Sequence, residues 1–300
     1  MRKNFPIMQF LNQKKGFLGL DAKFNIKDKV IIVPFGLEKT VSYGRGTKNA
    51  PTQIIKASHQ VELFDEEFMK EPCKSIGIKT LKPFKIKKNL HSALDQLSKI
   101  NSIILSEKKF PLVLGGEHSI TPASLKPFIN KFEEIVLLHF DAHADLRQEY
   151  QGEKFSHASA IRRCLDYKNI KVISLGIRNL SEEEMKFYKN NKDRIEIFWA
   201  AEKDKWDLEL LKRKLDKKNV YITFDVDCFD SSIMPATGTP EPGGLYWNEV
   251  LKIIKSICLV SNIIGADINE LAPIKNFDSY NFLIAKLTYK ILTYIFEFKS

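Results

Sequence analysis

Between His139 and Asp145 the chain reads His-Phe-Asp-Ala-His-Ala-Asp, which sets Asp141, His143 and Asp145 at alternate positions. Carboxylate and imidazole both ligate divalent cations, and a set richer in acid than in nitrogen favours a hard or borderline ion such as Mn²⁺ over a thiolate-bound Zn²⁺. Asp225 and Asp227 form a second acid pair, and Gly115-Gly-Glu-His118-Ser adds a further imidazole. A lone Asp-x-Asp is usually a solvated turn or a helix cap, so what counts is how the clusters are placed.

Each cluster follows an apolar run of strand length: Phe110-Pro-Leu-Val-Leu114, Glu134-Ile-Val-Leu-Leu138 and Asn219-Val-Tyr-Ile-Thr-Phe224. The ligands therefore sit where buried strands open into loops, the edge at which α/β sheets build their sites. Further strands are predicted at Lys29–Val33, Ile76–Ile78, Lys171–Leu175, Ile195–Trp199 and Ile263–Ile268. Helices are predicted at Thr52–Leu63, at Leu90–Ser106 with Leu94, Leu97, Ile100, Ile104 and Leu105 on roughly one face, after Thr121-Pro122, and around Ile161 and Leu165. Others follow a Ser181 cap with an acidic first turn, then at Leu208–Leu215, Trp247–Val260 and Phe282–Phe298. Such alternation predicts a three-layer α/β/α fold with a mainly parallel sheet of about eight strands. No linker or repeat divides residues 1–300, which read as one domain. The Pro- and Gly-punctuated stretch from Asp230 to Gly244 is predicted to be a functional loop over the site.

Composition narrows the class. With 44% apolar and 28% charged residues the chain is ordinary for a soluble globular protein. Its 47 basic against 37 acidic residues give +10, which admits a nucleic-acid partner. The lysines are scattered, however, in pairs such as Lys108-Lys109 and Lys217-Lys218 without interleaved aromatics, as a solvated surface would be. Cys73, Cys164, Cys228 and Cys258 lie far apart, which indicates neither a zinc knuckle nor a disulfide framework. No run approaches the ~18 apolar residues of a membrane span, and Met1 to Leu20 holds no sustained apolar segment, so a soluble cytoplasmic protein is expected.

Taken together, Gly115-Gly-Glu-His118-Ser, Asp141-Ala-His143-Ala-Asp145, Asp225-Val-Asp227 and Gly238-Thr-Pro-Glu-Pro-Gly-Gly244 resemble the ureohydrolase family of arginases and agmatinases. The resemblance runs from Val33-Pro-Phe to Asp267-Ile-Asn-Glu270. It implies a binuclear manganese centre, two Mn²⁺ per subunit, bridged by Asp141 and Asp225. His118 and Asp145 would complete one ion's shell, and His143 and Asp227 the other's. Two such ions lower the pKa of a shared water and hold the nucleophile for attack. Glu270 matches the family's guanidinium-binding acid, and His157 matches its flexible histidine, suited to pass a proton to the departing amine if it titrates near neutrality. The family also implies a trimer or hexamer. His139 reads as a buried neighbour of the site, Cys228 as a buried filler, and Asp230 as turn structure, because the ligand set is complete without it.

Departures from the family pattern bear on the substrate. Ala158 stands where arginases commonly carry glycine after the histidine, and Ser231-Ser232 where many relatives have proline. Arg147 occupies the place of the arginase asparagine that binds the substrate carboxylate, and the acid that binds the α-amino group falls near Ser181. The run Asp145-Leu-Arg-Gln-Glu-Tyr150 with Ser156-His-Ala-Ser is similar to prokaryotic agmatinases. The expected reaction is hydrolysis of agmatine to putrescine and urea, in polyamine biosynthesis. N1-aminopropylagmatine and guanidinobutyrate stand as alternatives, arginine behind them, and Arg147 is expected near the substrate tail with Glu149 and Glu153 to neutralise it. From another class, the +10 charge admits a nucleic-acid-binding protein on an inert ureohydrolase scaffold.

Overall fold

The structure, a computed structural model, describes residues 8–21 and 28–298. Their sheet has eight strands: β1 (Val30–Phe35), β2 (Ile78–Thr80), β3 (Phe110–Gly115), β4 (Ile135–Phe140), β5 (Ile170–Ile177), β6 (Ile195–Trp199), β7 (Asn219–Asp225) and β8 (Asn262–Asn269). Their order is β2-β1-β3-β8-β7-β4-β5-β6, and every pairing is parallel. Every residue of β1, β3 and β4 is buried, because a parallel sheet covered by helices has no solvent face and its strands must be apolar on both sides.

Helices close both faces. On one, Ile54, Leu211, Ile254 and Ile291 from the helices Ala50–Ser58, Leu208–Leu215, Trp247–Val260 and Ser279–Glu297 share a core with Leu112, Leu138 and Ile222 of the sheet. On the other, Leu97 and Ile104 of the helix Leu90–Ser106 pack on Ile31 and Val113, while Leu125 and Ile161 pack on Leu137 and Tyr221. Caps set several starts: Asn89 accepts from the Ser92 amide, Asp207 from the Leu210 amide, and Ser181 forms a capping box with Glu184.

Several predicted boundaries move. The strand expected at Ile76–Ile78 begins at Ile78, because Cys73–Ile76 is a helical turn that Gly77 ends at φ +63°, after which Ile78 pairs with Val30. The helix expected over 52–63 ends at Ser58, whose hydroxyl donates to the Ile55 carbonyl and accepts from the Leu18 amide. The last helix starts at Ser279, three residues before the expected Phe282. None of the described helices is long and apolar enough to cross a membrane.

Candidate active site

Four neighbouring strands at the centre of the sheet, β3, β8, β7 and β4, end at the same edge, and each delivers part of one cluster. His118 follows β3, Asp141 to Asp145 follow β4, Asp225 ends β7 with Asp227 just beyond, and Glu270 follows β8. The turn out of β3 is tight: a Cβ on Gly115 would lie 2.0 Å from the Asn269 side-chain oxygen, and one on Gly116 2.1 Å from the Leu37 carbonyl. Only glycine admits that approach, and it brings the His118 amide against β8, where it donates to Glu270 Oε1 at 2.6 Å.

The six sequence-predicted ligands converge as two overlapping groups. His118 Nδ1 lies 3.0 Å from Asp141 Oδ2, 3.1 Å from Asp145 Oδ2 and 3.4 Å from Asp225 Oδ2. His143 Nδ1 lies 2.9 Å from Asp227 Oδ2 and 3.5 Å from Asp141 Oδ1. Asp141 thus offers one oxygen to each group. Backbone amides hold other oxygens of the set: the Ala142 amide donates to Asp227 Oδ1 at 2.9 Å, and the Asp227 amide to Asp225 Oδ1 at 2.9 Å. Asp145 and Glu270 both sit at positive φ, +50° and +66°, a strain of about 1–3 kcal/mol each that persists only where the surroundings impose it.

Whether this set suits a cation turns on His118. Its Nε2 meets Thr223 Oγ1 at 2.8 Å, and Thr223 in turn donates to Asp267 Oδ1 at 2.6 Å. Since the Thr223 proton is committed to a carboxylate, Nε2 is the donor, and in the neutral ring Nδ1 carries a lone pair. Burial alone would favour that neutral form, but Asp141, Asp145 and Asp225 raise His118 well above the ordinary imidazole range, so without a metal a proton sits on Nδ1. That fully buried atom makes no hydrogen bond of good geometry, although three carboxylate oxygens surround it. Lone pairs of four acceptors pointing into one space require a cation. The titrations carry the same demand: burial and the charges of Asp227 and Asp141 push Asp225 well above the usual carboxylate range, and burial with Asp141 beside it raises Asp145 to about 6. Burial alone would lower His143, but the neighbouring Asp227 and Asp141 raise it to about 12, so protons occupy the place that a metal would take. The residues fit a divalent metal pair: His118, His139, Asp141 and Asp145 have the geometry to hold one ion and Asp141, His143 and Asp227 another, with Asp225 reaching the first group through His118.

The other predicted residues are placed as follows. His157 lines the same cavity, of about 200 Å³, as Glu270, Arg147, Tyr150, Asn179 and Thr237 to Thr239. A larger groove, about 740 Å³ against the helix Leu90–Ser106, holds none of the cluster. Contrary to the near-neutral titration expected for His157, burial, with His118 and His143 nearby, lowers it to about 4, so it is neutral at pH 7. Arg147 lines the cavity, but Glu149 and Glu153 are not its partners: its Nε lies 3.7 Å from Glu184 Oε2 and its guanidinium 5.7 Å over the Tyr150 ring. Ser181 is engaged in capping, which aims Glu184 inward, where it also accepts from the Leu146 amide. Asp230 is turn structure, accepting from the Ser232, Gly243 and Gly244 amides. His139 bridges Ser174 Oγ at 2.9 Å and Asp141 Oδ2 at 2.8 Å, and buried Cys228 reaches only the Leu175 carbonyl.

Residues that sequence reasoning passed over also shape the site. Arg178 donates to the carbonyls of Gly176, Asp227, Phe229, Glu241 and Pro242, which pins the 230–244 loop to the end of β5 and sets Glu241 Oε1 3.8 Å from His143 Nε2. Glu117 is fully buried and ties down the loop after β1. Its only signal in the sequence is its place beside His118.

Comparison with known proteins agrees with this geometry. A model of the arginase family matches residues 28–293. The chain is 32% identical over 297 residues to the N(1)-aminopropylagmatine ureohydrolase of Synechocystis sp., covering 95% of each, and 35% identical over 254 residues to the agmatinase of Bacillus cereus, covering 83% of this chain and 85% of that one. Its fold superimposes on the agmatine ureohydrolase of Thermoplasma volcanium with a TM-score of 0.83 at 27% identity, over 95% of both chains. A parallel sheet of that order, candidate ligands at its central strand ends and a match across nearly the whole length have one explanation: this chain belongs to the arginase family, hydrolases of guanidino compounds.

Proposed function

We propose that the protein is a binuclear manganese ureohydrolase that cleaves agmatine to putrescine and urea. The observation that carries this reading is the double cluster around Asp141 with a buried glutamate beside it: Asp141 faces His118 through one oxygen and His143 through the other, and Glu270 is bonded to the His118 amide. His118, Asp145 and the shared Asp141 and Asp225 would hold one ion, and His143 and Asp227 with the same pair the other. When bound, two such ions acidify water and neutralise developing charge. An oxygen-rich set with two imidazoles suits Mn²⁺.

Glu270 binds the planar guanidinium and turns its carbon toward the cluster, which matters because a delocalised cation is a poor electrophile unless it is positioned. Burial, Glu117 and Asp227 hold the Glu270 carboxyl well above the usual range, and a guanidinium pairing with it restores its charge. Neutral His157, at the cavity wall, takes a proton from the attacking water and delivers it to the departing amine as the C–N bond breaks. His157→Ala should keep its metals and lose about 10²–10⁴-fold in kcat. Metal lost from that variant, measured by elemental analysis, would make His157 a ligand instead.

A cationic or neutral tail is supported at the mouth. Arg147 already has Glu184 3.7 Å from its Nε and Tyr150 under its guanidinium, which weakens it as an anchor for a carboxylate, and Glu241 adds an acid beside His143. N1-aminopropylagmatine has support of its own, since one full-length relative carries that name. We therefore rank agmatine and aminopropylagmatine above guanidinobutyrate, and arginine last. The test compares kcat/KM for the four compounds under equal Mn²⁺ loading by urea release. A preference for arginine overturns the reading, and one for guanidinobutyrate reinstates Arg147 as the tail anchor.

We place the enzyme in the cytoplasm as a trimer or hexamer without a nucleic-acid partner. Supporting the last point, many of the lysines stand in ion pairs, Lys171 and Lys218 with Glu134 and Lys99 with Asp95 among them. A salt-sensitive mobility shift with DNA or RNA would argue otherwise.

A further inference from the structure

We infer that Glu117 and Thr40 form a relay that fixes the tautomer of His157, holding its proton on Nδ1 and presenting the bare Nε2 as the base that carries the proton. They are positioning residues for the histidine. The inference deepens the ureohydrolase reading and rests on it for the role of His157, but the tautomer itself does not depend on any substrate.

Counting donors establishes the direction of each bond. Glu117 Oε2 accepts from the Lys39 amide at 2.5 Å and the Thr40 amide at 2.7 Å, and its Oε1 accepts from Ser119 Oγ at 2.6 Å and Thr40 Oγ1 at 3.0 Å. All four bonds run toward the carboxylate, so the single hydroxyl proton of Thr40 is spent on Glu117, the stronger, charge-assisted acceptor. Thr40 Oγ1 then has only lone pairs left. One accepts from the His157 amide at 3.0 Å, and the other faces His157 Nδ1 at 3.3 Å. An oxygen with no proton to give can bond Nδ1 only if Nδ1 is the donor, and in a neutral imidazole this leaves Nε2 bare. Tyr150 stands edge-on to the His157 ring at 5.5 Å between centroids and limits its rotation.

The arrangement also links two glutamates that hold parts of the site in different roles. Glu117 anchors the loop holding Thr40 from one side of His118, while Glu270 bonds the His118 amide from the other. Proton uptake at Nε2 places positive charge on the ring, and the Nδ1–H···Oγ1–H···carboxylate chain lets the Glu117 charge act on it through one hydroxyl. A histidine of the opposite tautomer would turn a donor toward the cavity and could not accept.

Nitrogen-15 spectra of histidine-labelled, metal-free protein test this, with His157→Ala identifying the His157 signals among the 6 histidines. The expected result is an Nδ1–H imidazole in the wild type, a mixed or reversed tautomer in Thr40→Val, and recovery in Thr40→Ser. With Mn²⁺ restored, Thr40→Val should lose about 10–10³-fold in kcat, part of the full acid–base contribution, with KM within about threefold and Thr40→Ser rescuing it. An Nε2–H tautomer in the wild type overturns the relay without any variant having to fold. So does a Thr40→Val protein unchanged in both spectrum and kcat. Full activity in His157→Ala would instead defeat the ureohydrolase role of His157 while leaving the tautomer as measured.

Discussion

Asp225→Asn is expected to reduce bound metal from two ions per chain to one or none and to lower kcat by about 10³-fold or more, whereas Asp230→Asn keeps both ions. The contrast follows from geometry. Asp225 spends Oδ1 on the Asp227 amide and aims Oδ2 at the His118 group, so an amide in its place keeps the backbone bond and loses the charge that, on the proposed reading, the two ions would share. Water acidified by metal falls from a pKa near 16 to about 7 in the strongest cases, so losing one ion of a pair removes several units of that effect. Asp230 accepts from backbone amides that an asparagine oxygen also satisfies, at a cost of about 1–3 kcal/mol at most in folding. Metal counting by mass spectrometry on both variants decides the matter. Two ions retained in Asp225→Asn, or one lost from Asp230→Asn, would mean that the bridging assignment is wrong.

The same contrast shows what a sequence can carry. Strands buried on both faces must be near-continuous apolar runs, so β3, β4 and β7 were readable as such, and with them the end at which their loops collect. The candidate ligands were readable as a cluster because alternate spacing after a strand end puts Asp141, His143 and Asp145 in one short loop whatever the rest of the chain does. What depends on distant parts of the chain meeting was not readable. Thr40 reaches Glu117 across 77 residues, and Arg147 meets Glu184, which a capping box on another helix turns inward, in place of its sequence neighbours Glu149 and Glu153. The five carbonyls gathered by Arg178 come from the end of β5 and from the long stretch after β7, and leave no pattern in the order of residues. Burial depth is likewise invisible in sequence, which is why His157 reads as a near-neutral imidazole while burial, with His118 and His143 nearby, lowers it to about 4 in the fold. The backbone strain at Asp145 and Glu270 belongs to the same class, since side-chain type gives no reason to expect positive φ at a glutamate.

Glu270→Gln is expected to lower kcat/KM for every guanidino substrate by about 10²–10⁴-fold, the cost of removing one partner of a buried charge pair, about 3–5 kcal/mol, while metal content stays at the wild-type level. The carboxylate sits at the floor of the cavity, 7% exposed, so no solvent replaces the charge that the variant loses. The retained metal is the informative half. Glutamine keeps an oxygen where Oε1 accepts the His118 amide, and the backbone bond from Glu270 N to the Gly116 carbonyl at 2.7 Å is untouched, so the turn that positions His118 survives. Loss of rate with full metal therefore isolates the guanidinium contact from the cluster. Acid should act in the same direction on the wild type: burial and Glu117 raise the Glu270 carboxyl, and a protonated acid pairs poorly with a cation, so substrate affinity falls as pH is lowered and recovers as it rises. The variant, having no carboxyl to titrate, should lose that part of the pH dependence of KM. If Glu270→Gln instead keeps kcat/KM within about fivefold at full metal loading, Glu270 does not bind the guanidinium, and the acid that does must be sought among Asp227, Asp145 and Glu241 around the same cavity.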